Sequence, residues 1–277
     1  MFQKSPQLPK IAKLLALAAF SAILALGLCG CQTSGLSDIT GSIGSIGEKA
    51  ETGRATDPRR DLATYRERHR LNPKDAEAAV QYGKALRAIG QKSQAVAVLE
   101  QASIANPGNP LVLAGYGRAL ADNGNFQQAF DVLGRAHTPE DPDWRILSVQ
   151  GATLDQLGRY EEARQYYSSA LKIAPDEPAV LSNLGLSYVL SKDLPKAEET
   201  LRRAHSLAGT DPRIRSNLAM VVGLQGRAAE AERIAKADLP PEEATANVAN
   251  LRRLLSRKEN ARANAGKLPM AAATNRD

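Results

Sequence analysis

The chain has 277 residues, with 36 Lys and Arg against 30 Asp and Glu, 43% hydrophobic residues and only 4% aromatic ones. Such a length holds one or two globular domains, and no apolar run reaches the ~20 residues of a bilayer span, which excludes a polytopic membrane protein. Sparse aromatics beside abundant alanine point to closely approaching helices rather than a β-sandwich, and two cysteines, three histidines and one tryptophan leave little for metal or nucleophilic chemistry.

Residues 14–28 form an apolar stretch behind Lys4, Lys10 and Lys13, the pattern of a secretory signal and too short for a comfortable span. The protein is therefore expected to leave the cytoplasm. The segment ends in Leu28-Cys29-Gly30-Cys31, which resembles the bacterial lipobox. That resemblance implies removal of 1–30 as a lipoprotein signal peptide and diacylglycerol on Cys31. Cys29 fits less well, because bulky Leu28 directly precedes it. The alternative is an uncleaved anchor, or a protein in which both cysteines are incidental.

Loss of the signal removes three lysines from a net charge of +6, leaving +3 and no free thiol. That small excess, with no basic stripe and few aromatics to stack on bases, does not make a nucleic-acid surface. Gln32 follows the lipid-bearing cysteine where inner-membrane lipoproteins typically carry Asp, so the resemblance implies the periplasmic face of the outer membrane. Residues 31–56 then read as a Gly/Ser-rich tether. As a random coil it reaches about 25–30 Å. Its repeated Ser-Ile-Gly could instead dock as a short strand.

Beyond the tether the chain repeats itself every 34 residues. Gly83, Gly117, Gly151 and Gly185 mark one series, with Ala219 in the fifth place. Ala95, Ala129, Ala163, Ala197 and Ala231 mark a second, and Ala102, Ala136, Ala170 and Ala204 a third that lapses at Asp238. Gly90, Gly124, Gly158 and Gly226 mark the turns, with Lys192 the exception. This pattern resembles the tetratricopeptide repeat, two antiparallel helices with small residues where they cross. The resemblance implies an all-α helical-repeat solenoid over 57–255, with five units at 76–109, 110–143, 144–177, 178–211 and 212–245.

In each unit the glycine falls on the first helix and the alanines on the second. Tyr82, Leu86, Leu99, Tyr116, Leu120, Leu133, Leu154, Tyr167, Leu184, Tyr188 and Leu201 fill the space between units. Asn106-Pro107 and Ala174-Pro175 should end second helices, because the residue before proline avoids the α region. Residues 61–73 read as a lone second helix, 247–255 as a closing helix and 256–277 as a disordered tail.

Among the candidates for chemistry, His69, His137 and His205 lie two periods apart on second helices, on the order of 20 Å from one another, and cannot share a metal. The acidic run from Thr138 to Asp143 has two prolines and lacks a calcium loop's closing glutamate, so it reads as a linker. Glu161-Glu162 and Glu198-Glu199 fall at second-helix starts, where they complement the helix dipole. With no phosphate loop, nucleophile elbow or metal motif, no catalytic residue, metal, cofactor or small-molecule substrate is expected.

The remaining candidate is the concave groove, which in tetratricopeptide proteins is lined by first helices. At those positions the first two units present Lys84, Arg87 and Arg118. The fourth presents Leu186, Val189 and Leu190, and the fifth Met220 and Leu224. Asn183 and Asn217 stand where repeat proteins of this type can use an amide to grip a ligand's backbone. A basic end and an apolar end suit an amphipathic peptide. Equally, the closing helix could cover the apolar half, or that half could pack between units.

A narrower resemblance rests on the runs Leu71 to Asp75 and Leu86 to Gln91. It rests above all on Asn217-Leu218-Ala219 through Gly223-Leu224-Gln225-Gly226-Arg227 to Ala237-Asp238-Leu239-Pro240-Pro241. These resemble the TadD family of Flp/Tad pilus assembly lipoproteins, from the signal to about Leu255. The resemblance implies a non-catalytic scaffold that assists tight-adherence pilus biogenesis, with pilus components, above all the secretin, as protein partners. The alternatives are a pilotin or envelope assembly lipoprotein for another client, or an adaptor of cell-wall or polysaccharide enzymes.

Overall fold

A computed structural model describes residues 58–237 and 239–265; the signal, Cys31, the tether and residues 266–277 lie outside the described residues. The described chain is helical throughout, with no strand among the described residues. Helix α1 (Pro58–Leu71) precedes five helix pairs. They are α2 (Ala76–Ala88) with α3 (Lys92–Ala105), α4 (Pro110–Asp122) with α5 (Phe126–Leu133), and α6 (Trp144–Gln156) with α7 (Tyr160–Ile173). Then follow α8 (Pro178–Leu190) with α9 (Leu194–Leu207), and α10 (Pro212–Leu224) with α11 (Ala228–Lys236). Helix α12 (Pro241–Ala265) closes the array. The first helices α2, α4, α6, α8 and α10 pack side by side, and each also packs on its own second helix.

Local chemistry repeats with the same period. Asp75, Asn109, Asp143, Glu177 and Asp211 each precede a first helix and accept a backbone N–H of its first turn through the side chain. An N-cap of this kind is worth about 1 kcal/mol, and Pro110, Pro178 and Pro212 open their helices with a φ that the ring has already set. Between the helices of a pair the chain passes through a left-handed residue, with φ of 79° at Gly90 and 66° at Lys192. The following amide then returns to a carbonyl of the first helix, as Gln91 N to Leu86 O and Asp193 N to Tyr188 O, both at 2.9 Å. Lys192 meets this requirement without glycine's freedom, at a cost on the order of 1 kcal/mol.

In units one to four the first helix is seated on its second by one glycine against one large residue. A Cβ on Gly83 would lie 2.6 Å from Leu99 Cδ1, and one on Gly117 2.5 Å from Leu133 Cγ. Gly151 faces Tyr167 and Gly185 faces Leu201 in the same way. Unit five carries alanine at both places, Ala219 and Ala235, each buried. Volume is thus exchanged across the crossing, which keeps the interior close-packed.

Some elements differ from their sequence reading. Helix α5 has 8 residues where α3, α7 and α9 have 14, because Gly134 and then Pro139 and Pro142 interrupt it. His137 therefore lies in the connection to unit three rather than on a helix, with its Nε2 3.1 Å from Gln150 Oε1. Helix α3 ends at Ala105 and α7 at Ile173, each followed by a residue that precedes proline.

The closing helix is longer than residues 247–255 at both ends and runs to Ala265. It stands where the first helix of a sixth unit would. Leu255 faces Gly223 two periods after Ser187 meets Asp155, so both contacting positions keep register. Leu251 is buried, Arg252 donates to Glu232 at 2.7 Å, and Asn247 donates to the Ala235 carbonyl at 3.4 Å.

Candidate partner-binding groove

The first-helix face is built from side chains that recur once per turn on α2, α4, α6, α8 and α10. On α2, Lys84 is exposed while Arg87 is drawn into the structure. Arg87 Nε lies 2.7 Å from Asp122 Oδ2 on α4, and both side chains are 8% exposed. The pair joins units one and two, so Arg87 belongs to the inter-unit packing and does not extend the basic surface. Arg118, on α4, is half-buried. Next to it the face turns small and buried, with Ala121 on α4 and Ser148 and Ala152 on α6.

Units three to five are tied along the same face by hydroxyls and amides. Asn183 donates to Ser148 Oγ at 3.2 Å, and Asn217 donates to Ser182 Oγ at 3.0 Å. Each asparagine thus spends one amide hydrogen on the preceding unit, and its remaining polar atoms are what it can offer a ligand. Leu186, Val189 and Leu190 on α8 and Leu224 on α10 are all half-buried. Met220 is 4% exposed and contributes to packing. Helix α12 covers α10 at Gly223, beside Leu224, whereas the α8 aliphatics lie a unit away from that contact.

Between the charged and apolar parts, α6 carries a buried carboxylate, Asp155, which is 6% exposed. It accepts from Tyr167 Oη at 2.9 Å and from Ser187 Oγ at 2.7 Å. Burial pushes its carboxyl up to about 6, against the opposing pull of the Ser187 and Tyr167 hydroxyls and the Arg164 charge. The same burial, with Asp155 alongside, raises the Tyr167 phenol well above its usual range. Composition could not reveal this group, since an aspartate late in a first helix looks like any solvated one.

The other candidates are structural in their surroundings. His69 stacks on Tyr82 with ring centroids 5.7 Å apart. Glu161 and Glu162, in the first turn of α7, pair with Arg164 and Arg159. On the second-helix face, Glu198 and Glu230 are bridged by Arg202 and Arg227 across units four and five. Among the described residues no three His, Cys, Asp or Glu side chains gather as a metal site. No described helix is long and apolar enough to cross a membrane.

Helix pairs at a constant period, seated glycine against leucine, define a helical-repeat solenoid. Its repeats are tetratricopeptide repeats: a tetratricopeptide repeat family profile matches residues 93–150 and 156–221, and a second such profile matches 212–237. Comparison with curated proteins gives no match.

Among solved structures the chain is similar to PilW, described as a widely conserved type IV pilus biogenesis factor. The TM-score is 0.59 at 19% identity, over 69% of this chain and 90% of PilW. The APC/C hetero-tetramer Cut9–Hcn1 gives 0.55 at 16% identity, over 73% of this chain and 46% of the other. MamA from Desulfovibrio magneticus RS-1 gives 0.46 at 20% identity, over 64% of this chain and 95% of MamA. For PilW and Cut9–Hcn1 the likeness, at these identities, is one of fold.

Proposed function

We propose that this chain is a non-catalytic, lipid-anchored scaffold that holds a partner protein along its first-helix face and assists Flp/Tad pilus biogenesis. Secretin assembly or targeting at the outer membrane is the step it would serve. The observation that carries the scaffold reading is the face itself, with Lys84 and Arg118 at one end and Leu186, Val189 and Leu190 at the other. That division matches a peptide with one acidic and one apolar part. The pilus assignment rests on the resemblance of the C-terminal runs to the TadD family. PilW, a type IV pilus biogenesis factor, is built on the same fold.

The test is a photo-crosslinking residue at position 186 in the living cell. Capture of a secretin or another tight-adherence component is the expected result; capture of a type IV pilus or cell-wall client would overturn the assignment and keep the scaffold. With the captured partner, Leu186→Glu should weaken binding at least tenfold while leaving helical content intact. Equal binding by a folded variant would remove α8 from the interface. At the other end of the chain, Cys31→Ser should release the folded protein from the membrane fraction, and a variant that still sediments with membranes would refute the anchor.

A further inference from the structure

Two departures from the repeat meet on Asp155. Where three other units carry Leu99, Leu133 and Leu201, unit three has Tyr167. Where three others carry Ala85, Ala119 and Val221, unit four has Ser187. Both introduced hydroxyls donate to the one carboxylate, and the three side chains sit on α6, α7 and α8. Tyr167 and Ser187 are fully buried. The cluster therefore spans the interface of units three and four, in a buried layer where the Thr153 hydroxyl, one period before Ser187, instead donates to the Val149 carbonyl.

The groups facing Asp155 are few. From α7 come the Tyr167 phenol and, at longer range, the Arg164 guanidinium; from α8 comes the Ser187 hydroxyl. Among the described residues, α4 and α5 add no charge that acts on it. Arg164 is itself engaged elsewhere. It donates to Ser191 Oγ at 3.2 Å, pairs with Glu161 and lies over the Tyr188 ring, 5.2 Å from its centroid. Two hydroxyl donors and one distant cation fall short of the solvation that a carboxylate loses on burial.

We propose that Asp155, Tyr167 and Ser187 form a proton-sensitive joint between the third and fourth units, tight when the carboxyl is protonated and loosened when it is ionised. In the acid form the carboxyl still accepts from Tyr167 and donates its own proton to Ser187 Oγ. In the ionised form an under-solvated charge sits in the interface. The folded carboxyl binds its proton more tightly than the unfolded one. Its contribution is complete below the ordinary value of 3.8 and is lost as pH rises through about 6. A solenoid is held by nearest-neighbour interfaces, so this joint separates units one to three from units four and five. The inference concerns the solenoid alone and does not depend on what the groove binds.

The test is amide hydrogen exchange on the full chain, corrected for the intrinsic pH dependence and compared with Asp155→Asn. Between about pH 5 and about pH 7, opening of α6 and α8 in the natural chain should rise by about 10-fold, the part of a two-unit proton-affinity difference that falls in that window. Asp155→Asn should show a flat profile. Parallel profiles in the two proteins would overturn the joint. If Asp155→Asn does not fold, Tyr167→Phe serves instead: removing one donor should move the transition to higher pH, and an unmoved midpoint overturns the proposal.

Discussion

Gly117→Ala should destabilise the array by about 1–3 kcal/mol, although alanine is the better helix former by about 1 kcal/mol. The added Cβ would meet Leu133 Cγ at 2.5 Å, inside a core where Leu133 is fully buried and cannot swing away. Leu133→Ala alone should cost about 2–5 kcal/mol by leaving a cavity. The double variant should lose less than the sum by at least about 1 kcal/mol, because it installs the alanine pair that unit five already uses at Ala219 and Ala235. Chemical denaturation of the four proteins measures this directly. Strict additivity would mean that the crossing does not exchange volume between its two sides.

Asp122→Ala should be worse, at about 3–5 kcal/mol, since it takes the carboxylate away from a guanidinium whose side chain is 8% exposed. Asp122 also ends α4, where a negative charge opposes the helix dipole, so the pairing with Arg87 is what makes the residue tolerable there. Replacing both partners, as Arg87→Met with Asp122→Leu, should return stability to within about 1 kcal/mol of the natural chain or better. If Asp122→Ala lost less than that, the pair would be ornamental and Arg87 would become available to a ligand.

The repeat and its unit boundaries were legible because small residues recur wherever backbones approach, and a period needs no structure to be seen. The N-cap series Asp75, Asn109, Asp143, Glu177 and Asp211 is equally visible at the same spacing, as is the exchange of glycine and leucine for two alanines. The division of the groove was harder. Arg87–Asp122, Ser148–Asn183 and Ser182–Asn217 are each 35 residues apart, one more than the period, because neighbouring first helices meet slightly out of step. Complementary polar residues at that offset mark Arg87 and both asparagines as facing the adjacent unit. Met220 gave no such signal, since its burial depends on how α10 is packed rather than on any local pattern.

The two end helices bear on assembly. Among the described residues, helix α1 occupies the place of a second helix with no first beside it, and α12 that of a first helix with no second. Stacked end to end, two molecules could in principle pool these halves into one more complete unit and continue as a filament. The residues at the matching places forbid it. The crossing glycine is replaced in α12 by Arg253, and a crossing alanine is replaced in α1 by Arg68, both exposed. A crossing that accepts glycine or alanine in all five units thus meets a long charged side chain at each end, which works against end-to-end addition.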